Sequence, residues 1–157
     1  MKPEVKTILD KVKQTADFGY VAFETINDTN VFGDNALHCV IVWNDYESAK
    51  ILVENGININ QKGEHGYTPL HEACSFGRME IVKLLLENGA DTFARTEGDL
   101  PFTKARLGGH DAICEALKPY MAKHEGDESS RKHQKHLEKL DSSIKELEMQ
   151  IEKHCCK

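Results

Sequence analysis

The chain has 157 residues, of which 39% are apolar and 29% charged, and its formal net charge is -6. That length suits about one domain, and the composition excludes a chain disordered throughout or one built on the roughly 20-residue apolar runs that cross a bilayer. Residues 122–157 hold eight Lys/Arg and eight Asp/Glu, so the whole excess, twelve basic against eighteen acidic, lies in residues 1–121. This balance disfavours nucleic acid and favours a basic protein as partner; with no bilayer-length apolar run, no membrane partner is expected.

The start, M-K-P-E-V-K-T-I-L-D, lacks a continuous hydrophobic run and does not read as a secretory signal, so a cytoplasmic location is expected. Val5, Ile8, Leu9 and Val12 fall on one face of a helix over 3–15, and Val21, Phe23 and Ile26 suggest a second short helix over 18–26. Together they read as a helical N-terminal cap spanning residues 1–30, shielding the residues after it.

The segment beyond this cap is a repeat. G-D-N-A-L-H (Gly33 to His38) and G-Y-T-P-L-H (Gly66 to His71) lie 33 residues apart, and A-K-I-L-V-E-N-G-I-N (Ala49 to Asn58) matches V-K-L-L-L-E-N-G-A-D (Val82 to Asp91) at the same offset. A third copy opens at G-D-L-P-F-T (Gly98 to Thr103), 32 residues on, and continues as A-I-C-E-A-L. Within a unit, Thr68 is placed to cap a helix and Pro69 takes its first position, where a missing N–H costs nothing. Leu70, Ala73 and Cys74 give that helix small apolar contacts until Gly77 breaks it. Ile81, Val82, Leu84 and Leu85 form the apolar face of a second helix, which Gly89 closes with a left-handed cap.

These residues resemble the ankyrin repeat, whose T-P-L-H…G-A-D pattern matches residues 66–91 almost in full. The resemblance implies an all-α solenoid of helix-turn-helix units joined by β-hairpin-like loops, with repeats at 31–62, 63–95 and 96–121. The first repeat has Asn35 and Ala36 for Thr and Pro, and Asn44 for the inter-helix glycine, a change that asparagine's tolerance of left-handed backbone permits. The third has Leu100, Phe102 and Thr103 where Thr, Leu and His would stand, and lacks one loop residue, as befits a terminal unit.

Beyond Met121 the composition turns to A-K-H-E-G-D-E-S-S-R-K-H, a polar linker over 122–132. Leu137, Leu140, Ile144, Leu147 and Ile151 then form a short heptad seam, giving an amphipathic helix over 133–155 that packs on its own chain or pairs copies into a weak homo-oligomer. A monomer or such an oligomer is expected.

No catalytic residue, metal site or cofactor is expected. Cys39, Cys74 and Cys114 sit in apolar helical patterns and read as buried thiols; the terminal H-C-C-K, with His133 and His136, lacks the organised ligands of a zinc site. His38 and His71 read as structural: in the family resembled, this histidine ties one repeat's loop to the next.

The functional expectation rests on residues the stack does not need. Trp43 and Phe76 occupy equivalent positions, each ten residues after its glycine, and the resemblance places them at the end of the first helix on the concave side. Val42 and Leu107 add apolar area; Tyr46 and Arg78 stand at the start of the second helices. Phe32, Asp34, Glu64, His65, Tyr67, Glu97 and Asp99 lie on the hairpin loops bordering that face. Aromatics rimmed by carboxylates suit a protein-binding surface, with acidic groups steering a Lys/Arg-rich partner and rings slowing its release. The expected function is a non-catalytic protein-binding module. The layout also resembles small bacterial ankyrin immunity proteins, each neutralising a cognate toxin, which implies inhibition by occlusion. The alternative is a scaffold or regulatory adaptor whose C-terminal heptad helix makes the main contact.

Overall fold

The computed structural model describes residues 1–123, 135–136, 138–146 and 149. The expected linker beyond residue 123, the seam positions Leu137, Leu147 and Ile151, and His133, His154, Cys155 and Cys156 lie outside the described residues.

Helix α1 (Pro3–Val12) begins with Pro3 in its first turn and buries Val5, Ile8, Leu9 and Val12. The second cap helix expected over 18–26 does not form. Turns replace it: Phe18 and Val21 are buried, the Phe18 and Phe23 rings stack at 5.8 Å, and Phe23 adopts φ +50°. Asp28 closes the segment by accepting from the Thr25 N–H at 2.9 Å and from its hydroxyl at 2.6 Å. In so short a stretch such side-chain bonds outcompete a helical nucleus.

Three helix pairs come next: α2 (Ala36–Val42) with α3 (Tyr46–Glu54), α4 (Pro69–Ser75) with α5 (Met79–Glu87), and α6 (Pro101–Leu107) with α7 (Asp111–Ala122). Every first helix ends the same way. Asn44, Gly77 and Gly109 adopt φ of +58°, +69° and +71°, and the next residue's N–H returns to Val40, Ala73 or Ala105 at 2.9 Å. The second helices α3 and α5 end at Gly56 and Gly89, with φ of +83° and +84°. Asn44 thus does what the glycines do, at the cost an L-residue carries in that region.

First helices stack on first helices, α2 on α4 on α6, while α3 packs on α5. Leu37, Ile41, Leu52, Leu70, Ile81, Leu85, Leu100 and Leu117 are fully buried between them. The hairpin loops close by backbone bonds from Asn30 N to Asp34 O (2.9 Å) and Gly63 N to Tyr67 O (2.8 Å). The third loop is one residue shorter. Thr96 and Asp99 exchange two bonds, at 3.0 and 2.8 Å, around Glu97 (φ +49°) and Gly98 (φ +94°), so the deletion converts a three-residue loop into a tight two-residue turn.

A second tie, not anticipated from the sequence, joins the segments that lead into successive hairpins, beside the helix starts, where Asn58 O also accepts from Asn35 Nδ2 at 3.0 Å. Asn27 Oδ1 accepts from Asn58 N at 2.6 Å and Asn60 Oδ1 accepts from Asp91 N at 2.8 Å. Asn27 and Asn60 are themselves 33 residues apart, so the repeat contained the signal.

Residues 138–146 are helical, with Ser142 and Ser143 donating to the carbonyls of Glu138 and Lys139, and Leu140 and Ile144 are exposed.

Two outcomes are expected. Leu70→Ala and Leu85→Ala each lower unfolding free energy by about 2–5 kcal/mol in denaturant titrations, because both side chains are fully buried. Gly77→Ala costs more than Gly89→Ala. Both need a left-handed alanine, at about 1–2 kcal/mol, but a Cβ at Gly77 would also come within 2.5 Å of the His110 ring, whereas at Gly89 it meets nothing within 4 Å.

Candidate functional site

The first helices, the hairpins at their N-terminal ends and the turns at their C-terminal ends form one continuous row. At the hairpin end each unit is tied to the next by an imidazole. His38 Nε2 lies 3.2 Å from the Tyr67 carbonyl, which can only accept, and this assigns the proton to Nε2; Nδ1 then accepts from Asn35 N at 3.2 Å, with Asn35 Oδ1 also 3.0 Å away. His71 repeats the arrangement: Nδ1 accepts from Thr68 N at 3.2 Å and from its hydroxyl at 2.8 Å, and Nε2 donates to the Asp99 carbonyl at 3.3 Å. Thr68 therefore serves a capping box whose third position is a histidine. Burial depresses the pKa of both rings, opposed at His38 by the Asp34 charge and at His71 by the bond to Asp99. Both are held neutral. Thr103 stands at this position in the third unit, and no further hairpin follows it among the described residues.

The hairpin residues differ in what they leave free. Phe32 is 51% exposed. Asp34 accepts from Glu64 N at 3.0 Å and so positions the neighbouring loop. His65 projects between Glu64 and Glu97, at 3.6 and 3.8 Å, all three exposed. Tyr67 leans on His71 at 5.7 Å, with the Lys104 ammonium 5.0 Å from its ring and 2.8 Å from Asp99.

At the other end the two rings are not alike. Phe76 is 49% exposed, with Val42 at 47% and Leu107 at 75% beside it in the register, and Tyr46 exposed. Trp43, expected to face water, is half-buried: the Lys11 ammonium of α1 lies 4.7 Å from its ring and pairs with Asp45 at 3.2 Å. Arg78 lies over Phe76 at 5.9 Å and donates from Nη2 to the Val42 carbonyl at 3.3 Å. His110 Nε2 reaches the Ser75 carbonyl at 3.2 Å in the same way. The ring position of the third unit is Gly108, so the aromatic pair ends there.

The expected rim is also corrected. A seven-residue first helix separates the hairpin carboxylates from the rings by about 10 Å. The groups that border the rings are Lys11 with Asp45, and Arg78.

Between the two ends lie Cys39, Glu72 and Lys104, at equivalent positions, none of which the sequence pattern marks for the site. Burial, with Asp34 and Glu64 nearby, pushes the Glu72 carboxyl up to about 8. Burial likewise raises Cys39 to about 12, which makes it a poor nucleophile. Among the described residues, no three His, Cys, Asp or Glu side chains are grouped to hold a metal ion, and no helix is long and apolar enough to cross a membrane.

Residues 5–96 match the family model of ankyrin repeats in three copies. The chain belongs to the ankyrin-repeat family. The match runs from within α1 to the third hairpin, and ankyrin repeats mediate protein–protein interaction. Over 82 residues the chain is 42% identical to protein phosphatase 1 regulatory subunit 27 of Mus musculus, covering 52% of this chain and 51% of that protein. It is 36% identical over 92 residues to SMC5-SMC6 complex localization factor protein 1 of Homo sapiens, covering 57% of this chain and 9% of that one. With the serine/threonine-protein kinase TNNI3K of Mus musculus it shares 38% identity over 80 residues, which is 10% of the kinase. The chain thus spans about half the length of the phosphatase subunit and a tenth or less of the other two.

The buried ionisable groups give two opposite pH dependences. His38 and His71 titrate below the ordinary 6.5 when folded, so the unfolded chain takes up protons first and stability falls as pH drops below 6.5. Glu72 titrates near 8 when folded and at 4.5 when unfolded, so its contribution falls as pH rises between those values. Melting temperature against pH checks both: His71→Gln flattens the acid limb and Glu72→Gln the limb between pH 4.5 and 8.

Proposed function

We propose that this ankyrin chain is a non-catalytic module that binds one protein partner along the row of first helices, with the hairpin carboxylates meeting basic groups of that partner. One observation carries the reading: Val42, Phe76 and Leu107, spread over three successive units, keep about half or more of their surface in water. The buried leucines and the bonds between units already hold the stack, and large apolar side chains left exposed on successive units of a folded chain suit an interface. Two relatives named as a regulatory subunit and a localization factor support a binding role. In finer detail, we read the chain as a cytoplasmic, immunity-type inhibitor that covers a basic cleft of a toxin by occlusion. In domain terms, residues 1–30 act as the cap, 31–121 as the binding repeats and 122–132 as the linker to the helix of 133–155.

The exposure of Leu140 and Ile144 favours a second reading, an adaptor whose C-terminal helix makes the main contact or pairs two copies. The test uses the full chain as bait in native lysate, then the identified partner in calorimetry. Phe76→Ala is expected to weaken that complex by about 2 kcal/mol while leaving the melting temperature nearly unchanged. Trp43→Ala lowers the melting temperature as well, because Trp43 is half-buried under Lys11. Deleting residues 125–157 leaves affinity intact. Loss of binding on that deletion, with Phe76→Ala silent, overturns the proposal in favour of the adaptor.

A further inference from the structure

The turns that end α2 and α4 stand side by side and enclose an open groove of about 510 Å³, lined by Asn44 and Tyr46 on one turn and Gly77, Arg78, Met79 and Glu80 on the other. Phe76 and Val42 supply the exposed apolar ground next to these turns.

Arg78 is the charged group fixed in this groove. Its guanidinium is held by the Val42 carbonyl through Nη2 and by the Phe76 ring, and its Nε is buried without a partner. With Nε buried and one Nη2 hydrogen used on Val42, the donors left for an incoming planar acceptor are those of the two terminal nitrogens, held in an already fixed orientation. The competing carboxylates are engaged elsewhere: Glu80 with Lys83 at 3.3 Å, and Asp45 with Lys11 and with the Ser48 N–H and hydroxyl. Asp45 also shows what a carboxylate does here. It caps α3, whereas at the equivalent position in the next unit Arg78 gives α5 no side-chain cap.

We infer that this groove receives an aspartate or glutamate side chain of the protein partner, its carboxylate paired with Arg78 and its flanking apolar side chains laid on Phe76 and Val42. The inference rests on the binding reading above and deepens it. The partner surface is then of mixed charge, basic where it meets the hairpins and acidic about one helix length away, where it meets the turns.

The test needs no knowledge of the partner. The full chain is titrated with the acetylated, amidated pentapeptide Gly-Leu-Asp-Leu-Gly and with its Asn and Lys counterparts, and two-dimensional amide NMR tracks each residue. The Asp peptide is expected to shift the amides of Tyr46 and of residues 78–81 saturably, and the Asn peptide to bind about ten-fold more weakly or worse. Arg78→Gln, whose spectrum itself reports folding, is expected to abolish the difference between the two. Equal binding of the Asp and Asn peptides, or Asp-peptide shifts that avoid this groove, overturns the inference. If the Lys peptide then still shifts Glu64 and Glu97, the concave reading survives its loss. If the Asp peptide binds as expected and the Lys peptide moves nothing, the groove stands and the basic-partner element of the proposed function falls.

Discussion

The structure depends on a hydrogen bond that crosses from one repeat to the next through an imidazole. His38 and His71 each read the start of their own helix with Nδ1 and deliver a proton from Nε2 to the next hairpin. No single unit can bury both ring nitrogens by itself. A histidine at this place therefore makes the units cooperative, and the burial that makes the bond worth having also keeps the ring uncharged. The asparagine bonds from Asn27 and Asn60 add to the imidazoles on the hairpin side, while Arg78 to the Val42 carbonyl and His110 to the Ser75 carbonyl tie the turns at the opposite ends. A chain of repeats that touch only their neighbours is stable to the degree that such neighbour terms exist.

Because the stack is joined at its two loop ends and filled by leucines between, the row of first helices is left with surface it does not need. That surface is divided: carboxylates with Val31, Phe32 and His65 exposed on the hairpins, apolar side chains and fixed cations at the turns. The division arises from the unit itself, since a seven-residue helix sets the spacing of its two ends. In the proposed function this division selects a partner for the arrangement of its charges as well as for their sum.

The repeat was legible in the sequence because its signals are local and periodic. The glycines and Asn44 mark backbone that must turn left-handed, Thr68 and Pro69 mark a helix start, and the 33-residue offset aligns them without reference to contacts. The cap was only half legible. Its first helix carries a clean apolar face, but residues 18–26 offered three apolar residues that serve a turn as well as a helix, and the bond between Thr25 and Asp28 decided for the turn. The state of Trp43 was not legible, because the residue covering it, Lys11, lies in the segment outside the clear repeats. Glu72 escaped notice for a similar reason: its carboxylate neighbours, Asp34 and Glu64, come from two separate hairpins. Sequence periodicity located the positions of the site, and tertiary contacts decided which of them are open.

The protonation state of the two bridging rings tests this dependence most directly. Long-range proton–nitrogen NMR of the histidine side chains at neutral pH resolves which ring nitrogen carries the proton. His38 and His71 are expected to be both neutral and both protonated on Nε2. A charged ring, or a proton on Nδ1 in either, would contradict the bridging role.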